Sequence, residues 1–361
     1  MMEAAVNNAI IYIVLVMLLL ILFCYRFALP EKVQEKFIVK IIITGIIFFG
    51  LYLYYTSINA ADSNAYINEF RNSARLVQQL RGNWISYEIM NIIKKYTNNY
   101  MLFRMCVGIV YFIPIVIIVL GKYRDSINKW YFLLILTIYP FFISIVTLRN
   151  TLAASVCVLA YYYYFESDKR IKNFLIAIFI FGIAIGLHTT SFFQLIFFAI
   201  YAFYRKVTQK RLLVLFFLLI DFGAIFVIKS NLITQWLFEH VGESYQLFIH
   251  QVENVGYGFL LYVMVQLVYY FSLKQIRPYV MEKNSIYEEI YYLNNVLLLI
   301  FPLYAIDIIF FRLYRNVMIL NALCYARNAK IRKKSCLNLV IIFMQVVLFY
   351  YGEYSILFTI L

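Results

Sequence analysis

Met105-Cys-Val-Gly-Ile-Val-Tyr-Phe-Ile-Pro-Ile-Val-Ile-Ile-Val-Leu-Gly121 runs for seventeen residues without a charged side chain, between Arg104 and Lys122. A helix needs about 17 to 25 mostly apolar residues to cross the hydrocarbon core of a bilayer. This stretch therefore reads as a membrane span. The pattern repeats in both directions along the chain. Twelve candidate spans result, at approximately 9–25, 37–55, 105–120, 131–148, 150–165, 174–187, 190–204, 212–228, 256–273, 292–309, 313–326 and 337–356. The expected fold is an all-α integral membrane protein. It is one polytopic bundle of about twelve transmembrane helices over residues 1–361, with long outer loops at 56–104 and 229–255.

Composition points the same way. Of the 361 residues, 64% are hydrophobic and only 14% charged, against roughly 25% charged in a soluble domain. One soluble core could not bury that much apolar surface, whereas a bilayer can. The formal charge of +14 excludes nothing by itself. The Lys and Arg fall in short runs between apolar stretches, however, and not on one exposed face as in a nucleic-acid binder. Counted on alternate sides, 22 of the 32 basic residues occupy one set of connections and ten the other. The positive-inside rule assigns the richer set to the cytoplasm, so both termini are expected outside. The start of the chain lacks a basic n-region and a cleavage site, so residues 10–23 read as a retained span. The five cysteines (Cys24, Cys106, Cys157, Cys324 and Cys336) form no C-x-x-C pair and read as buried, unpaired thiols.

In the first outer loop, Ile85, Ile89, Ile92 and Ile93 share one helical face. That spacing predicts a helix lying in the membrane interface or packed over the bundle as a lid. Tyr161 to Tyr164 fall at a cytoplasmic edge, where aromatic residues form bundle packing or an interfacial belt.

Charges at membrane depth are expensive, so those at span ends carry the most information. Arg149, in Val146-Thr-Leu-Arg-Asn-Thr-Leu152, opposes the orientation rule by standing at the outer face. Its alternatives are a headgroup contact, a structural pair with Asp62 or Asp307, or a functional role. His188, in Gly186-Leu-His-Thr-Thr-Ser191, occupies the next outer turn among hydroxyls. Arg312 and Arg315 lie three apart, which directs both guanidinium groups to one helical face. Paired forks of that kind suit a phosphate or diphosphate, or anchor to headgroups. Asp62 opens the first outer loop as a functional carboxylate or a helix cap. His240 and His250 have no helical metal spacing. Asp221 is the acidic residue inside a span. No nucleotide, zinc-protease or esterase motif is present, and no metal or cofactor is expected. Ion-coupled transport would usually need several central charges or broken helices in matching halves. Here the charges gather at one rim.

Those residues, in that order, resemble the EpsG-type branch of the Wzy-like polysaccharide polymerases. The resemblance is carried by Asp62-x-x-x-Tyr66, by Arg149, by His188-x-Thr190-Ser191 and by Arg312. It covers roughly residues 50 to 205 and the Arg312 region. Ala60 stands where the family pattern has Gly, and Asn150 where it has Gln. The resemblance implies a glycosyltransferase-type polymerase at the outer face of the bacterial cytoplasmic membrane. It would join undecaprenyl-diphosphate-linked oligosaccharide units into capsule, exopolysaccharide or O-antigen and release undecaprenyl diphosphate. Arg149, Arg312 and Arg315 would hold the diphosphate, His188 or Asp62 would take the proton, and Tyr66, Asn150 and Ser191 would contact substrate. The implied partners are that lipid-linked oligosaccharide, membrane lipid, and the flippase and chain-length regulator of the same pathway. Competing readings are a flippase or exporter of the same lipids, and a membrane acyltransferase using His188 as base.

Overall fold

In the computed structural model, the described residues are 12–21, 35–56, 63–79, 82–123, 125–168, 170–229, 256–280, 285–332 and 334–352. Asp62 and the second outer loop, with His240 and His250, lie outside them. Every regular element among the described residues is a helix. Hydrocarbon offers no hydrogen bonds, so a segment inside it must pair its own N–H and C=O groups.

Among the described residues, four helices are long and apolar enough to cross a membrane: Tyr100–Leu120, Lys210–Lys229, Phe259–Val280 and Ile286–Ile306. A fifth results if Ile308–Arg315 and Met318–Ile331 count as one broken span. Helices lie at the other expected positions too, but several are short. Lys129–Ile138 has ten residues, or about 15 Å at about 1.5 Å each, half the hydrocarbon thickness of about 30 Å. The expected count of twelve full spans is therefore not carried by helix length. The expected span 131–148 is split into Lys129–Ile138 and Phe141–Val146, because Pro140 lacks the N–H that would continue the ladder.

The chain divides into two compact units, residues Met1–Ser191 with Ile319–Leu361, and residues Phe192–Met318. In the first, Glu35–Thr56 and Tyr100–Leu120 pack closely through glycines. A Cβ on Gly50 would lie 2.4 Å from Phe112 Cζ, and one on Gly108 would lie 2.9 Å from Tyr54 Cδ2. Close approach at small residues is how helices associate where lipid removes the hydrophobic drive. Gly108→Val is expected to force these helices apart and cost about 1–3 kcal/mol. Thermal unfolding in detergent measures this, and an unchanged midpoint would refute the packing.

Leu148–Glu166 packs along Ile171–Leu187 and Tyr100–Leu120. Tyr161 is fully buried, edge-on to Phe181 with ring centroids 5.0 Å apart, and Tyr164 is 5% exposed. Two of the four tyrosines read from sequence are thus core residues. The C-terminal helices join this unit through polar contacts. Tyr131 Oη donates to Asn338 O at 2.9 Å, and Asn328 Nδ2 donates to Asn338 Oδ1 at 2.9 Å.

The second unit contains its own buried polar contacts. Gln266 Nε2 donates to Leu297 O at 2.7 Å and Tyr304 Oη donates to Gln266 Oε1 at 2.5 Å. Glu289, 2% exposed, accepts from Tyr201 Oη at 2.6 Å and Arg205 Nε at 2.8 Å. The Ile286–Ile306 span starts earlier than the expected 292–309, so Glu289 joins Asp221 as an acidic residue inside a span.

Candidate active site

Two short helices of the first unit carry the site. On Ser63–Arg71, Tyr66 and Glu69 are three residues apart and so share a face. Phe70, 3% exposed, seats this helix edge-on against Tyr100. The second helix, Trp84–Tyr96, is tied to its neighbour by Lys94, whose Nζ donates to the terminal carbonyl of Arg71. Its start is set by Asn83, at φ 78°, a left-handed conformation that Asn tolerates better than most residues.

The helix expected at 85–93 therefore exists, and it packs on the bundle. Its docked side is the expected one turned slightly, with Ile85, Ile89 and Ile93 half-buried at its edge. Ser86, Tyr87 and Met90 are buried, whereas Ile92 is 45% exposed. The polar members of that face find hydrogen-bond partners below. Ser86 Oγ donates to Leu187 O at 2.7 Å, a carbonyl left over at a helix end. Asn83 Oδ1 accepts from Thr189 N at 2.9 Å. Gly186 makes room, since a Cβ there would sit 2.5 Å from Ile85 Cδ1.

Arg149 opens the Leu148–Glu166 helix beneath these two elements. Its Nη1 donates to Glu69 Oε1 at 2.8 Å and to Tyr87 Oη at 2.9 Å. The guanidinium carbon lies 5.2 Å from the Tyr66 ring centre and 5.8 Å from that of Tyr87. Cation–π attraction adds to the ion pair at such distances. Arg149 Nε is buried and donates to no described residue. The expected structural partners were Asp62 or Asp307. Asp62 lies outside the described residues, and Asp307 caps its own turn by accepting from Ile309 N at 2.8 Å. Glu69 takes the place because it stands three residues beyond Tyr66 on the same face, a spacing already visible in the sequence.

Arg104 was counted only toward orientation, yet it is fully buried. Its Nε donates to Tyr54 O at 2.6 Å and Nη2 to Ile145 O at 3.2 Å. Both acceptors sit in the last turns of their helices, Glu35–Thr56 and Phe141–Val146. Such carbonyls lack intrahelical partners and carry the negative end of the helix dipole. Arg104 thereby holds the turn that leads into Arg149.

His188 ends the Ile171–Leu187 helix with extended backbone. Its Nδ1 lies 3.2 Å from Thr190 N and 2.8 Å from Thr190 Oγ1. A backbone N–H can only donate, so Nδ1 is the acceptor and the neutral ring carries its proton on Nε2. In this tautomer the nitrogen able to take a proton is Nδ1, which faces Thr190.

Of the expected substrate contacts, Tyr66 is 6% exposed with its ring at Arg149, and Asn150 is 3% exposed. Ser191 is 1% exposed beside the buried Cys157. All three are therefore inward-facing residues. The first unit brings Tyr66 and Arg149 together, and the Trp84–Tyr96 helix touches both Arg149 and the turn at His188. Arg312 and Arg315 belong to the second unit, on the five-residue helix Phe311–Arg315. There Arg312 Nε donates back to Ile309 O at 2.9 Å.

No curated protein and no solved structure matches the chain. The model of the EpsG family matches residues 57–357, a range that contains Tyr66, Glu69, Tyr87, Arg149 and His188. With most of its length under that match, this helical membrane protein belongs to the EpsG family of Wzy-like polysaccharide polymerases.

Proposed function

We propose that the chain joins undecaprenyl-diphosphate-linked oligosaccharide units at the outer face of the bacterial cytoplasmic membrane. A hydroxyl of the acceptor unit attacks the anomeric carbon of the donor chain, and undecaprenyl diphosphate leaves. The charge that develops on this leaving group is best met by fixed cations in a water-poor site. Arg149 carries the reading. Its Nη1 is anchored by Glu69 and Tyr87, while Nε remains a buried donor without an acceptor among the described residues. Anchoring one edge of a guanidinium fork leaves the other oriented for phosphate oxygens. Arg312 and Arg315 are proposed as further diphosphate contacts, and the Nε2–H of His188 as a hydrogen-bond donor to substrate. Both termini and the 56–104 loop then lie outside the cell membrane, where a flippase delivers the lipid-linked units and a chain-length regulator acts on the product.

Purified protein given undecaprenyl-diphosphate-linked repeat units in detergent tests the reading. A polymerase yields a ladder of products without any membrane gradient. Scrambling of those lipids in vesicles with no ladder in detergent would replace the polymerase by a transporter.

A further inference from the structure

One end of the second unit gathers cations around tyrosines. Four helices meet there: Ser191–Tyr204 and Phe259–Val280 end at it, and Lys210–Lys229 and Ile286–Val296 begin at it. The described residues of this end carry six basic side chains, Arg205, Lys206, Lys210, Arg211, Lys274 and Arg277, against the two carboxylates of Glu288 and Glu289. Both carboxylates are engaged. Glu289 is buried under Tyr201 and Arg205, and Glu288 accepts from Tyr292 Oη at 2.7 Å, with Arg277 Nη2 at 3.7 Å. The rings of Tyr291 and Tyr292, their centres 6.2 Å apart, each carry a cation. Arg277 Cζ lies 4.8 Å from the first ring centre and Lys210 Nζ 4.8 Å from the second. Lys210 has no carboxylate partner among the described residues.

We propose that this end is a binding site for the headgroup of an acidic phospholipid, with Lys210 and Arg277 on its phosphate. A cation resting on an aromatic ring is held in place while its N–H donors still turn outward. The Arg277 side chain is 43% exposed. The surplus of positive charge favours a headgroup with a net negative charge, because a zwitterionic one brings its own ammonium. The anion is part of a lipid because these helices turn apolar side chains outward directly beyond the cations. Leu212, Leu215 and Leu219 are 60%, 53% and 62% exposed, and Phe271 is 51% exposed. Acyl chains cover such a surface, and tyrosines with long cations sit at headgroup level. Basic pockets between spanning helices take acidic headgroups in this way. Both connections belong to the set richer in Lys and Arg, so the leaflet is the cytoplasmic one under the positive-inside rule. The site does not depend on the polymerase reading.

The purified full-length chain in a neutral detergent would be titrated with fluorescent phosphatidylglycerol and, separately, with fluorescent phosphatidylcholine. Tighter binding of phosphatidylglycerol is expected. Lys210→Gln with Arg277→Gln should weaken it by about 25-fold, about fivefold for each cation lost beside an anionic headgroup. Lys95→Gln with Lys172→Gln removes the same charge from exposed positions of the first unit and should leave the affinity close to wild type. Tyr292→Leu changes no charge but removes the ring under Lys210, and should also weaken binding. That variant carries the test if the double variant fails to fold. Equal binding of the two lipids, or an equal loss in both double variants, would overturn the site in favour of diffuse attraction. Unchanged affinity in Tyr292→Leu would count against it in the same way. Displacement of the lipid by inorganic phosphate at matching concentration would make this a site for a free anion and overturn the lipid assignment.

Discussion

Arg149→Ala is expected to lower polymer formation by about 100- to 1,000-fold, the range lost when one fixed donor to a developing oxyanion is removed. The side chain is held at Nη1 by Glu69 and Tyr87 and lies close to two tyrosine rings, so its orientation is fixed before substrate arrives. Preorganisation of that kind is what gives a cation its effect on a transition state. The same change removes an ion pair whose partners are 19% and 22% exposed. Pairs this accessible contribute on the order of 1 kcal/mol, so the variant should still fold. Arg149→Lys restores charge without the fork and should recover only part of the activity. Product ladders from purified variants, read beside their melting midpoints, separate catalysis from folding. Wild-type polymer length in an Arg149→Ala strain would remove Arg149 from the mechanism.

Arg104→Leu is expected to be the most damaging change to stability in the first unit. Two effects oppose each other. Removing a buried guanidinium relieves its desolvation cost, and replacing buried charges by apolar residues is often neutral. Here, however, the acceptors Tyr54 O and Ile145 O are carbonyls at helix ends. Without Arg104 they lose charged donors in a region with no water to replace them. Hydrogen bonds to charged groups contribute about 1.5–3 kcal/mol each. Their loss outweighs the relief, and a net cost on the order of 3 kcal/mol follows. Arg104→Lys places one ammonium where a planar fork spanned two carbonyls, and should be intermediate. Thermal unfolding in detergent measures the order wild type, Lys, Leu. Equal midpoints for wild type and Arg104→Leu would show that the two carbonyls find other donors.

Much of this protein could be read from local sequence because hydropathy is a local property. A run such as Met105–Gly121 declares a membrane segment without reference to anything else in the chain. The order of Tyr66, Arg149 and His188 likewise pointed to the right family. Partnership is different. Asp62 and Asp307 were the carboxylates expected for Arg149 and Glu69 was not among them, because charge type says nothing about distance. Folding chose Glu69 by laying the Ser63–Arg71 helix over the start of Leu148–Glu166.

The same limit explains the Trp84–Tyr96 helix. Ile85, Ile89, Ile92 and Ile93 made the more apolar face, yet Ser86, Tyr87 and Met90 are the most deeply docked, with Ile85, Ile89 and Ile93 half-buried beside them and Ile92 exposed. Beside a bilayer both the protein interior and the surroundings are apolar, so hydrophobicity marks depth but not which face turns inward. Small residues and hydrogen-bond partners decide that. Gly50, Gly108 and Gly186 act only where Phe112, Tyr54 and Ile85 meet them. The sequence alone determined a helical membrane protein, its apolar segments and its family. Tertiary packing alone decided that Arg149 shares one carboxylate and two tyrosines, and that Arg104 is buried between helix ends, because those choices depend on distances between segments far apart in the chain.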